Sequence, residues 1–419
     1  MKIILVNFRY FISGGPERYL FNVTKLLESK GHKVIPFSVK HDKNMESDYE
    51  HYFLSTFGSG PEVYAKDYKK NKLMLLLKTF SRFFYSFEAK KKFAELLKVE
   101  SPDIIYVLHF KGLISPSIFD VAKKFNIPIV QRISDFGRIC ANNVLFDYKQ
   151  NQICEKCITG TKLNGIIGKC SNGSLVNSII KVFALYIEDI MGLSSKTDAY
   201  VVPSEFTINK LASARIQIDK MNFIPTFFTG NENYKSNDVT NENFILYFGR
   251  VDADKGIEFL IESFKSLNLQ LVIIGESISP EYYARMNQLI VGHNNIRLIG
   301  KKTFVEIAEY LRKCSFVVVP SLWYDNFPNV VLEAYYFKKP VIASRIGSLE
   351  YMVEDNVTGL LFERNNMEDF IKKVNYLYKN PHEIKRMGEN ALTRLNDKYN
   401  SETHYNSLIE LFSRMIKSK

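Results

Sequence analysis

The chain has 419 residues, of which 46% are hydrophobic and 24% charged, and a formal net charge of +11. That length exceeds one ordinary core, so two α/β domains are expected, and the composition excludes disordered, collagenous and disulfide-stapled classes. No apolar run approaches the roughly 18 residues that cross a bilayer. The opening run, residues 1–6, stops at Asn7 and Arg9 with no small-residue cleavage site. It reads as a first strand rather than a signal peptide, and the expected location is the cytoplasm.

Much of the positive charge is local. Residues 66–98 hold ten Lys or Arg against three Asp or Glu, and a basic surface calls for an anionic partner. An RNA-recognition signature, paired-histidine zinc-finger spacing and a basic zipper are all absent, so no nucleic-acid partner is expected. In the same segment the cations interleave with Leu73, Leu75, Leu76, Leu77, Phe80, Phe83, Phe84, Phe87 and Phe93. Helical spacing gathers these on one face. That face suits either packing into the first domain or docking on an anionic membrane, at the inner face of the cell membrane.

In chain order, residues 2–7 read as a strand and residues 13–16 as a turn. A helix over residues 17–30 puts Leu20, Val23, Leu26 and Leu27 on one face, and Gly31 closes it. A strand over residues 33–39 completes a βαβ unit, which implies a parallel sheet and a right-handed crossover. Residues 104–108 and 127–133 are further buried strands, with a helix over 115–125 between them. Residues 223–242, with Pro225 and several Asn, Thr and Gly, form the linker. The alternation then restarts, with strands at 244–248, 271–274, 296–299, 316–319 and 341–343. Helices fall at 257–267, 304–313 and 329–337 between them. The expected division is residues 1–225, residues 226–400 and a C-terminal helix, 401–419, packing back on the first domain. Doubly wound sheets bind ligands at the carboxyl ends of their strands, so two facing sheets would share a cleft.

Three segments carry chemistry. In residues 320–334, Asp325 lies in a loop after a buried strand and Glu333 lies about a turn into the following helix. Carboxylates accept hydrogen bonds from sugar hydroxyls, and a helix N-terminus favours a diphosphate. Spacing alone fits a loop acid and a capping acid equally well. In residues 247–256, Gly249, Arg250, Lys255 and Gly256 follow a strand. Cations there would stabilise a departing nucleoside diphosphate, although a basic surface turn would look the same. Asp252 and Asp254 form an Asp-x-Asp, but the flanking cations weigh against a metal. Gly14 and Gly15 allow backbone N–H groups close to a phosphate. The dinucleotide fingerprint Gly-x-Gly-x-x-Gly is absent, which weighs against a dehydrogenase.

Four cysteines, Cys140, Cys154, Cys157 and Cys170, fall within about thirty residues and include a Cys-x2-Cys. Four thiolates suit a structural zinc site, with free or redox-active thiols as the alternative. A cytosolic setting disfavours disulfides, and Cys314 reads as core.

Together these motifs resemble glycosyltransferase family 4, a retaining family of the GT-B fold with two facing Rossmann-like domains. The matches run in order along the chain: residues 14–18, 30–34, 102–105 leading to His109, 198–204, Gly249-Arg250 with Lys255-Gly256, Asp325 with Glu333, and 347–350. The resemblance implies that Arg250 and Lys255 hold the donor diphosphate and Glu333 the ribose. Asp325 and the backbone of Asn326, Phe327, Pro328 and Asn329 would hold the donor sugar. Gly14, Gly15 and Gly249 would approach the donor, and His109 would sit near the reacting carbon. It also implies metal-independent transfer of a hexose or N-acetylhexosamine from a UDP- or GDP-linked donor, with no catalytic cofactor. The acceptor would be a saccharide, lipid-linked where a surface polysaccharide is built. Two departures stand out: Asp325 replaces the family's Glu, and Ser134-Asp135 replaces its His-Asp. The alternatives are a nucleotide-sugar epimerase of the same fold and a catalytically inactive sugar-binding subunit.

Overall fold

A computed structural model of the chain describes residues 1–56, 80–230 and 242–419. Six parallel strands form the first sheet: β1 (Lys2–Asn7), β2 (Lys33–Phe37), β3 (Ile104–His109), β4 (Ile129–Arg132), β7 (Ala199–Val202) and β8 (Met221–Phe223). Their spatial order is β2-β1-β3-β4-β7-β8. Between β4 and β7 lie a short antiparallel hairpin, β5 (Phe146–Asp147) and β6 (Gln152–Ile153), and the helix Leu175–Ile190. The second sheet holds β9 (Phe244–Phe248), β10 (Gln270–Ile274), β11 (Ile296–Leu298), β12 (Phe316–Val319), β13 (Val341–Ser344) and β14 (Gly359–Phe362). These strands are also all parallel, in the order β11-β10-β9-β12-β13-β14.

Side-chain alternation along each strand feeds two cores per sheet. Ile4 and Val6 of β1 face Phe93, Leu96 and Leu97 of the helix Phe87–Glu100, while Ile3 and Leu5 face Leu20 and Val23 of the helix Gly15–Ser29. In the second domain Leu246 and Phe248 serve one face, and Ile245 and Tyr247 the other. Burial on both faces explains why these strands read as continuous apolar runs. The order of neighbours switches between β1 and β3 in the first sheet and between β9 and β12 in the second. Those two switch points are where an α/β sheet opens a crevice.

The linker begins later than its composition suggests. Phe223 ends β8, and Ile224 and Phe227 are buried in the first domain's core. Of the basic segment, residues 57–79 lie outside the described residues. In the rest, Phe93 is core and Lys92 donates to the carbonyl of Phe53 at 2.5 Å, whereas Phe80, Phe87, Lys90 and Lys91 are exposed. Among the described residues no helix is long and apolar enough to cross a membrane.

The helix Ser401–Lys417 returns to the first domain, where Leu408, Leu411 and Phe412 join the core beside Ile3 and Leu5. His404 anchors it. Its Nδ1 lies 2.8 Å from the Pro225 carbonyl and its Nε2 3.0 Å from the Tyr19 hydroxyl. A carbonyl only accepts, so Nδ1 carries the proton and Nε2 accepts from Tyr19. Burial, helped by Arg132, pushes the imidazole pKa down to about 3. The unfolded chain therefore takes up a proton that the folded one refuses as pH falls below about 6.5, the ordinary histidine value. The melting temperature is expected to drop between pH 7.5 and 5.5, with a shallower drop in His404→Gln. That variant should lose roughly 1–3 kcal/mol at pH 7.5 through its unmade bonds. Thermal unfolding at the two pH values checks this, and parallel slopes for the two proteins would contradict it.

Candidate functional site

The two switch points face each other across a cleft of about 540 Å³. Its walls include Gly14, Gly15, Gly249, Arg250, Lys255, Asp325, Asn326, Phe327, Pro328, Asn329 and Glu333. Residues from opposite ends of the sequence are thus brought to one space because each follows a strand at its sheet's switch point.

Two helices begin at this cleft, and neither has a side-chain cap. The helix Gly15–Ser29 starts after Gly14, and the helix Asn329–Tyr336 after Pro328. Uncapped N-termini present backbone N–H groups and a partial positive charge, which favour an anion. The two ends come close, since a Cβ on Gly15 would lie 3.3 Å from Asn329 Nδ2.

The cations of the second domain are already engaged. Arg250 pairs with Asp252 and, at 2.8 Å, with the buried Asp254. Lys255 Nζ lies 2.5 Å from Asp325 Oδ2 and 4.8 Å from the centre of the Trp323 ring. Burial works against the charged form of Arg250, but Asp254 and Asp252 outweigh it and raise its pKa. The Asp-x-Asp carboxylates therefore hold an arginine. Gly256 makes the turn possible: its φ is +72°, and a Cβ there would lie 2.0 Å from the Pro320 carbonyl oxygen. Only glycine lets Lys255 sit against the loop that carries Asp325.

Several site residues have side-chain contacts that the motifs do not announce. Asn326 spends its side chain across the cleft, accepting from Thr207 Oγ1 at 2.5 Å and donating to the Ile133 carbonyl at 3.1 Å. Phe327 packs edge-on against Tyr399. His109 lines a neighbouring cavity of about 260 Å³ rather than the cleft itself; Arg132, Ser134, Asp135 and Asn143 line both. Its Nδ1 lies 3.2 Å from Asn7 Oδ1, and burial lowers its pKa, so the ring is neutral near pH 7 with Nε2 as the acceptor nitrogen.

The four cysteines line one cavity and are free thiols. Cys140 donates to Asn142 Oδ1 at 2.8 Å, and Cys157 lies 3.9 Å from the Lys162 carbonyl. Burial pushes the Cys157 thiol up to about 12. Among the described residues no three His, Cys, Asp or Glu side chains are grouped as metal ligands.

Motif spacing does not identify the residues that bridge the two domains. Arg18 reaches Glu333 at 3.2 Å, Tyr148 donates to Asp254 at 3.4 Å, and Glu155, held by Lys210 of its own domain at 2.6 Å, accepts from Tyr324 at 2.8 Å. Tyr148 lies in the turn of the β5–β6 hairpin and Glu155 just after it; Asp147 Oδ1 accepts from the Lys149 N–H at 3.0 Å, an Asx turn that marks the reversal locally.

Comparison with known proteins bears on the second domain first. Residues 230–394 match the family of glycosyl transferases group 1. The uncharacterized glycosyltransferase MJ1178 of Methanocaldococcus jannaschii is 38% identical over 151 residues, covering 36% of this chain and 42% of that protein. The match therefore spans less than half of that relative. The capsular polysaccharide biosynthesis glycosyltransferase CapM of Staphylococcus aureus is 24% identical over 259 residues, covering 57% of this chain and 67% of that protein. Across both domains, the structure of Anabaena HepE in complex with UDP and glucose superposes with a TM-score of 0.62 at 15% identity, covering 99% of each chain. The architecture, two facing doubly wound domains, is the GT-B fold.

Glu333 makes the cleft sensitive to pH. Burial raises its pKa to about 7, while Arg18 pulls the other way. Its carboxyl is expected to titrate near pH 7, with the charged form prevailing above that value. Arg18→Ala should raise the pKa further, since the carboxylate loses its cation. Infrared difference titration of the wild type, Arg18→Ala and Glu333→Gln checks this. A Glu333 signal in the ordinary range of 4 to 5 would contradict it.

Proposed function

We propose that this protein is a retaining, metal-independent glycosyltransferase that moves a hexose or N-acetylhexosamine from a UDP- or GDP-linked donor to a saccharide acceptor. The observation that carries the reading is one cleft bounded by two uncapped helix N-termini and by Arg250 and Lys255. A nucleoside diphosphate is the ligand whose charge four such donors complement.

The chemistry follows from the pairs already present. As the donor's glycosidic bond breaks, negative charge gathers on the leaving diphosphate, and Arg250 and Lys255 are held where they stabilise it. A phosphate oxygen arriving at Lys255 takes the place of Asp325. The freed carboxylate then accepts a hydrogen bond from a donor-sugar hydroxyl, so phosphate binding and sugar recognition are linked through one ion pair. Asp325 is shorter by a methylene than the residue the family uses there, which bears on which sugar is taken. Glu333, in its charged form, accepts from the nucleotide ribose. The acceptor hydroxyl attacks from the face the diphosphate leaves, within an ion pair, and passes its proton to an oxygen of the departing diphosphate, so the configuration is retained. Asp252 and Asp254 are occupied by Arg250, which supports charge stabilisation without a metal.

The likeness to CapM supports a role in surface polysaccharide synthesis. Exposed Phe80 and Phe87 with exposed Lys90 and Lys91 support contact with an anionic membrane surface, where a lipid-linked acceptor would lie.

A panel of UDP- and GDP-linked hexoses and N-acetylhexosamines, assayed for release of the nucleoside diphosphate, tests the reading. At least one donor is expected to be turned over, with no loss in EDTA. Arg250→Ala and Lys255→Ala should each lower that turnover about a hundredfold, for roughly 3 kcal/mol of lost charge stabilisation. Near-normal turnover in either variant, or loss in EDTA rescued by magnesium or manganese, would overturn it.

A further inference from the structure

The cavity that holds His109 has a charge balance of its own. Four basic side chains line it, Lys111, Arg132, Arg138 and Lys181, against two carboxylates, Asp135 and Glu188. Lys111 and Glu188 neutralise each other at 2.6 Å. Among the described residues Arg138 donates to neutral partners, Ser194 Oγ at 2.7 Å and Gln131 Oε1 at 3.4 Å. Asp135 accepts from the Gly137 N–H at 2.8 Å.

The other two cations have no carboxylate hydrogen-bonded to them among the described residues, although Arg132 lies 3.8 Å over the centre of the Tyr19 ring. Arg132 is 5% exposed; its Nη2 donates to Thr226 at 2.6 Å, but its Nη1 is buried with no hydrogen-bond partner. Lys181, on the helix Leu175–Ile190, makes no hydrogen bond or ion pair with the described residues, and burial lowers its pKa. Three cations thus face one carboxylate, with Arg132 and Arg138 buried and Lys181 half-buried. Buried charge without a counter-charge is costly, and such an arrangement is coherent where a ligand supplies the missing anion. The aromatic rings of Phe8, Phe83 and Phe110 form another part of the wall and suit the apolar face of a sugar ring. The cavity adjoins the donor cleft through Arg132, Ser134, Asp135 and Asn143.

We propose that this cavity is the acceptor pocket, and that the acceptor it takes carries an oxyanion, a phosphate or a carboxylate, held by Lys181, Arg138 and Arg132. This rests on the donor reading above. It deepens that reading by naming the acceptor's chemical class. Ser134-Asp135, the departure noted in the sequence, then belongs to the passage between donor and acceptor.

Calorimetric titration tests it. UDP is titrated first, and the UDP-saturated protein then receives three probes on one sugar: methyl glucoside, methyl glucuronoside and glucose 6-phosphate. At least one charged probe is expected to bind tenfold or more tightly than the neutral one, and the tighter of the two tells carboxylate from phosphate. Lys181→Met should remove most of that preference while keeping the melting temperature and the UDP affinity. Equal or undetectable binding of all three probes, or a preference that survives Lys181→Met, overturns the pocket assignment. Where UDP does not bind, GDP replaces it throughout, and failure of both nucleotides overturns the donor reading and this inference with it.

Discussion

The geometry of the site depends on contacts between two sheets that share no strand. Asn326 ties the loop after β12 to Thr207 and Ile133 of the first domain, and Ser348 joins Ser204 at 2.9 Å. The β5–β6 hairpin adds bonds from Tyr148 and Glu155 to Asp254 and Tyr324. Several of these bonds are buried or half-buried, where an unmade partner is costly. They bring two uncapped helix ends face to face, and the chemistry proposed for the cleft follows from that placement.

Within the cleft, each cation of the second domain arrives with a carboxylate. Lys255 and Asp325 have side chains 16% and 13% exposed, so their attraction is only partly screened by water. Such a pair preorganises both groups and makes the carboxylate available only when another anion takes the cation. Glu333 and Arg18 repeat the arrangement across the domain boundary. Arg18 is half exposed, so this pair is the weaker of the two. Charge in the neighbouring cavity is arranged differently: Lys111 pairs with Glu188, but Arg132, Arg138 and Lys181 have no carboxylate hydrogen-bonded to them among the described residues.

Much of the fold is legible in the sequence because strands buried on both faces are written as short apolar runs. Residues 244–248 and 316–319 coincide with β9 and β12. The region between β4 and β7 is not legible in this way. Its long helix, Leu175–Ile190, exposes Leu175, Val176, Ile179 and Phe183 while burying Ile180, Val182 and Leu185, so no polar stripe marks its outer face. Arg250, Lys255, Asp325 and Glu333 could be found because each follows a strand or opens a helix. Their partners could not: Arg18 and Glu333 lie 315 residues apart, and spacing carries no information at that distance. The proximity of the four cysteines was legible from their spacing, and they line one cavity; the contact of Cys140 with Asn142 was not, because it depends on local loop geometry.

The central claim is that one nucleotide engages loops from both sheets at once. Hydrogen–deuterium exchange with and without UDP or GDP, whichever binds, tests it most directly, because the amides concerned lie in four separate segments. The bound nucleotide is expected to slow exchange together in residues 14–18, 249–256, 320–328 and 329–333. Protection confined to the second domain, or found away from these switch-point loops, would contradict it.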